Sequence, residues 1–185
     1  YASDFSFHCI LAQFACTVEE KNNEIEWLKK NRAGLKISNV LDYVRILKDN
    51  YRWEDLVDLL DFNLPNDCLF YVAGYLTESK DNEFIKISKK IYEELLSKGW
   101  KRQGLYFNLG IIQQYLGHIE EAKIYFQSEY DCFKTSDALL NLIQLRYETK
   151  DYHTDEYVED LKAQINAQTQ NLIRAIYLKN RDYVE

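Results

Sequence analysis

The chain has 185 residues, 46% of them hydrophobic and 29% charged, with one proline, six glycines and no methionine. A single domain of this size buries roughly two-thirds of the surface its unfolded chain exposes, and an aromatic share of 15% makes disorder unfavourable. A net charge of −7 opposes both phosphate binding and approach to an anionic bilayer, so neither nucleic acid nor membrane is an expected partner.

Helical periodicity runs through nearly the whole chain. Phe7, Ile10, Leu11, Phe14, Ala15 and Val18 recur at three- and four-residue steps and predict a first helix. The polar run 19–23 reads as a break, followed by a short helix carrying Ile25, Trp27 and Leu28 and closed by Gly34. Ser38 is a candidate cap for a helix holding Val40, Leu41, Val44 and Leu47, with Trp53, Leu56, Val57, Leu59 and Leu60 on its partner. Pro65 is expected to stop that partner, because proline lacks the amide a helix interior needs. Further helices are expected over 68–76, 84–96, 105–116 and 119–126, with turns at Gly99 and Gly117. Ser136 or Asp137 is a candidate cap for a helix to Tyr147, and two more are expected over about 154–168 and 170–178. No strand-like alternation intervenes, and the short connections predict antiparallel neighbours. The expected class is all-α.

Two markers repeat with a common period. Val44, Gly74, Gly110, Ile143 and Arg174 are spaced by 30, 36, 33 and 31 residues, and Trp53, Ile85, Ile119, Tyr152 and Tyr183 by 32, 34, 33 and 31. A period near 33 is that of helical-hairpin repeats. Segment 104–126, GLYFNLGIIQQYLGHIEEAKIYF, resembles the tetratricopeptide repeat in its Leu109-Gly110, Gly117, Ala122 and Phe126. Tyr106 stands at the family's tryptophan position and Gln113 at its first-helix tyrosine. Upstream, Gly74, Ser88 and Tyr92 stand where Gly110, Ala122 and Phe126 do. The resemblance implies a right-handed superhelical solenoid of about five antiparallel helix pairs over 37–185, with 1–36 a divergent or capping pair. A non-repetitive helical bundle is the alternative. The start at Tyr1 without methionine, and an end just as a new second helix would open, read as a segment of a longer protein.

Small residues are expected where the helices of one pair cross (Gly74, Gly110, Ala122), and large ones where pairs meet (Tyr106, Leu109, Phe126). In this family the first helix of each pair lines the concave face. The resemblance therefore implies a peptide-binding stripe of Arg45, Lys48, Tyr71, Tyr75, Glu78, Phe107, Ile111, Gln114, Tyr115, Gln144 and Tyr147, with Leu41 and Leu140 beside it. For the aromatic members, packing between repeats is the competing assignment. Second-helix acids such as Glu54, Asp55, Asp58 and Asp61 are expected to face solvent on the convex side.

Catalytic and metal motifs are missing: no phosphate-cradling glycine loop, nucleophile elbow, HExxH or EF-hand loop occurs. His8, His118 and His153 are far apart, and the acids around His153 read as a solvated helix start. The interrupted basic stretch over 80–102 reads as a solvated helix face. Cys9, Cys16, Cys68 and Cys132 form no zinc pattern and read as buried free thiols, which suits a reducing, cytoplasmic setting. No cofactor, metal or catalytic residue is expected. The expected function is a protein–protein interaction module that binds a protein or peptide. The alternatives are a peptide-sensing domain that regulates an attached DNA-binding or catalytic domain, and a self-associating structural spacer.

Overall fold

A computed structural model describes residues 4–32, 35–150 and 158. The described residues form nine α-helices and no strand: α1 Phe5–Phe14, α2 Val18–Lys30, α3 Ile37–Asp49, α4 Trp53–Asp58, α5 Asn66–Glu78, α6 Asn82–Ser97, α7 Leu105–Tyr115, α8 Ile119–Phe133 and α9 Ser136–Glu148. They fall into two compact units, 1–100 and 101–185. The helices expected beyond Tyr147, the acids around His153 and the interrupted C-terminal pair lie outside the described residues.

In the first unit α1 packs on α2 and α3, α3 on α4 and α5, and α5 on α6. Helices α1 and α3 thus each meet both their own partner and the next odd-numbered helix. Several boundaries differ from the sequence expectation: α1 ends at Phe14, short of Ala15 and Val18, and α8 runs on to Phe133. The polar run 19–23 is helical, because Thr17 and Glu20 form a reciprocal capping box that starts α2 at Val18. Helix α3 opens behind Lys36 rather than Ser38. Helix α4 lasts only to Asp58 and gives way to a 3₁₀ turn, Leu59–Asp61. Pro65 therefore starts α5 instead of stopping its predecessor, a position where its missing amide costs nothing.

In the second unit α8 packs on both α7 and α9. Gly117, at φ +81°, makes the turn between α7 and α8 in a backbone region that side chains disfavour. The α7/α8 crossing is close. A Cβ on Gly110 would lie 2.6 Å from the Phe126 ring, and Ala122 and Phe126 are fully buried with Leu142 and Leu145 of α9. The α5/α6 pair repeats the arrangement. Gly74 faces the Tyr92 hydroxyl, 3.2 Å from where its Cβ would stand, and buried Ser88 takes the place of Ala122, donating to the Ala73 carbonyl at 2.6 Å. In both pairs a first-helix glycine faces a second-helix aromatic side chain, by its ring at Gly110 and by its hydroxyl at Gly74.

The thiols divide evenly. Cys9 and Cys68 are buried, whereas Cys16 and Cys132 are exposed, contrary to the expectation that all four pack as small hydrophobes. Cys16 falls in the turn between α1 and α2 and Cys132 on the last turn of α8, where neither has a core to enter. Burial, with the charge of Asp42 adding to it, pushes the Cys9 thiol up to about 12, and burial also raises Cys68. An aromatic disulfide reagent at about pH 8 is therefore expected to modify Cys16 and Cys132 at once and the other two only on unfolding. Four equally fast thiols would overturn this burial pattern.

Candidate functional site

The sequence-derived stripe divides between the two units. In the first, α3 supplies Arg45 and Lys48, and α5 supplies Tyr71, Tyr75 and Glu78. Arg45 falls on the side of α3 away from its buried residues Tyr43, Val44, Ile46 and Leu47, and Lys48 is half-buried at the edge of that buried arc. Tyr71 and Tyr75 are one turn apart on α5, with ring centroids at 6.4 Å. The Lys48 ammonium stands 5.5 Å from the Tyr75 ring centroid and 3.3 Å from the Glu78 carboxylate. The Glu78 hydrogen bond, then its charge, holds Lys48 above its ordinary value. Arg45, on the exposed side of α3, forms a loose pair with Asp42 at 3.9 Å.

Lys48, Tyr71, Tyr75 and Glu78 make a polar-aromatic surface, with Arg45 toward the α1 side of α3. Two half-buried phenol rings offer flat apolar area, an ammonium–carboxylate pair borders them, and an exposed guanidinium stands one turn of α3 away. A surface of this composition can hold an apolar side chain of a ligand against the rings and an acidic one at Arg45. It contains no nucleophile–base pair and no electrophile.

In the second unit the corresponding residues spread out. Phe107 and Ile111 pack against the Ala122/Phe126 cluster, with the Phe107 ring 5.6 Å from Phe126. Tyr147 and Leu140 pack against a neighbouring cluster of Tyr130, Ala138, Leu139, Ile143 and Val158. Gln114 is half-buried and Tyr115 half-exposed. Gln144 is exposed, donating to Glu148 at 2.9 Å. Among the repeat positions, Leu109 and Gly110 are buried and Tyr106 is half-buried.

Two buried acids escaped the sequence reading. Asp55 is 4% exposed, not on the solvent face as expected; Glu54 and Asp61 are exposed and Asp58 is half-buried. Lys29 of α2 pairs directly with Asp55, and Arg52 approaches its other oxygen at 2.5 Å. Arg52 also reaches Glu26 at 2.6 Å. This ion cluster joins α2 to α4, and cations on both sides offset the desolvation of the carboxylate. The burial of Tyr43, followed by the charge of Asp55, raises that phenol.

The second acid is Glu129, which is fully buried. Its carboxylate accepts from the Gly104 amide at 2.7 Å and the Phe107 amide at 3.3 Å. Gly104 occupies the cap position of α7 with φ +93° and has no side chain to do this itself. A carboxylate from α8 thus caps α7. It borders a cleft of about 360 Å³ shared with Arg102, Gln103, Thr135 and Asp137. Its sequence signal is an acid on the buried arc of α8, seven residues after Ala122 and three after Phe126.

No protein-family model, curated protein or solved structure matches the chain. No helix among the described residues is long and apolar enough to cross a membrane. Among the same residues, no group of three or more His, Cys, Asp or Glu is placed to hold a metal ion.

Proposed function

We propose that the chain is a tetratricopeptide-like repeat module that binds a peptide segment of a partner protein. The observation that carries this reading is the Lys48–Tyr75–Glu78 surface, in which side chains of two successive first helices meet. The crossings of Gly74 with Tyr92 and Gly110 with Phe126 support the repeat assignment, because each sets a first-helix glycine opposite a second-helix aromatic at equivalent positions. The odd-numbered helices of the first unit stand next to one another, as the inner row of a helical-hairpin solenoid does.

The ligand that fits is a peptide with an aromatic or aliphatic anchor for Tyr71 and Tyr75 and an acidic residue for Arg45. Selection of random peptides on the immobilised chain tests this. The wild type is expected to enrich such sequences. Tyr75→Ala is expected to weaken the selected peptide by about tenfold or more, equivalent to about 1.4 kcal/mol, and Arg45→Ala to remove the acidic preference. Both variants are expected to keep the wild-type melting temperature, because neither residue belongs to the core. A large loss of melting temperature in Tyr75→Ala, or enrichment that ignores both substitutions, overturns the site.

A further inference from the structure

Two tyrosines and a carboxylate of α5 form one side of a seat for a cation. Tyr71, Tyr75 and Glu78 follow one another at steps of four and three residues, in a row on one face of the helix. An aromatic face beside a carboxylate attracts an ammonium or a guanidinium, the ring through its negative face and the acid through its charge. In this chain the seat is already taken. The Lys48 ammonium stands 5.5 Å from the Tyr75 ring centroid, 3.3 Å from Glu78 and 3.7 Å from Asp49. The Lys48 side chain is less exposed than either acid, and its apolar stem follows the edge of the buried arc of α3.

We infer that Lys48 is a built-in occupant of this seat and sets the ligand class of the surface: it keeps lysine and arginine side chains of a partner off the Tyr75 ring and leaves that ring to aromatic and aliphatic ones. This role rests on the peptide-binding reading and adds to it what the surface refuses. Charge makes the refusal necessary. A chain of net charge −7 draws basic segments toward it at long range, and a ring bordered by two unneutralised acids would hold whichever of them arrived. With Lys48 in place the acids are partly neutralised, and an incoming cation meets a like charge at the ring it needs, the repulsive element that specificity requires. Lys48 also competes at a high effective concentration, because α3 packs on α5 within the same unit. An acid-bearing peptide meets no such competitor.

Lys48→Met tests this, because it removes the charge and keeps an apolar stem, and its melting temperature is expected to match the wild type. Random peptides selected on the wild type are expected to carry few basic residues at the anchor position, and those selected on Lys48→Met to be enriched in them. A wild-type-selected peptide remade with arginine as its anchor is expected to bind Lys48→Met about tenfold more tightly than the wild type. Glu78→Gln in the Lys48→Met background is expected to cancel that gain. Lys48→Gln, polar as well as neutral, is the second variant and is expected to give the same result. N-acetylarginine amide supplies a readout that needs no selected peptide. At millimolar concentration it is expected to shift the Tyr75 ring resonances of Lys48→Met and to leave those of the wild type in place. A wild type that enriches no peptide would overturn the peptide-binding reading alone, and the arginine probe would still decide the role of Lys48. Basic anchors enriched equally on the two proteins, an arginine peptide that binds both alike, or equal Tyr75 shifts overturns the inference.

Discussion

Phe126→Ala is expected to destabilise the second unit by about 3–5 kcal/mol, the usual cost of removing a fully buried phenyl ring. The ring fills the space left by Gly110 and touches Phe107, and it shares a cluster with Ala122, Leu142 and Leu145. The same geometry predicts a reversal of sign at its neighbour. Alanine normally improves on glycine inside a helix by about 1 kcal/mol. At Gly110 the added methyl would meet three ring carbons at 2.6, 2.8 and 2.9 Å. Overpacking of that kind typically costs about 1–3 kcal/mol, so Gly110→Ala is expected to destabilise the wild type. In the Phe126→Ala background the obstacle is gone, and Gly110→Ala is expected to stabilise. Urea titration of the four proteins measures the coupling. Gly74→Ala supplies the contrast, because its nearest atom is a tyrosine hydroxyl at 3.2 Å, and its effect is expected to be near neutral. Additive effects at Gly110 and Phe126 would show that the pair does not form this crossing.

How much of this was legible depended on whether the cause was local. Alternation of Leu, Ile and Phe at helical spacing located most helices, because burial of one arc imposes that pattern on the chain itself. The close approach at Gly110 and Ala122 was legible because small residues recur at a fixed offset, but Phe126, expected where pairs meet, fills the crossing against Gly110 within its own pair. Hydrophobicity is the wrong guide to 19–23, because the side chains of Thr17 and Glu20 start α2 by accepting from backbone amides. Helix α4 was hard to bound because Leu59 and Leu60 continue its apolar pattern while the backbone has already tightened to a 3₁₀ turn.

The candidate site was legible only in part. Lys48 and Glu78 are thirty positions apart in sequence, and no intrinsic property of either residue announces a pair. The repeat offset placed both on first helices, and α3 against α5 brings them within 3.3 Å. The same offset put Phe107 and Ile111 on the stripe, yet their side chains pack against Phe126. A repeat register fixes which helix a residue occupies. It does not fix how far a large side chain leans into the neighbouring core. Asp55 and Glu129 were invisible for a related reason. An acid reads as solvated until the chain that neutralises it has been folded around it, and the partners here come from other helices.

Glu129→Ala is the more informative test of that point and the second large expected effect. Removal of the carboxylate leaves the Gly104 and Phe107 amides without their acceptors, and each unsatisfied buried amide costs about 1–3 kcal/mol. Water entering the adjoining cleft offsets part of this. The expected net loss is about 2–3 kcal/mol, which combines the lost bonds with the lost interaction between a buried anion and the positive end of α7. Glu129→Gln keeps one carbonyl oxygen but turns an NH₂ group toward the second amide, so it is expected to lie between the wild type and alanine. Denaturation gives these totals, and hydrogen exchange locates them. Protection of amides 104–107 is expected to fall in both variants well before that of the middle of α8. If stability drops while those amides keep their protection, Glu129 fills space rather than capping α7, and the start of that helix is held by some other group.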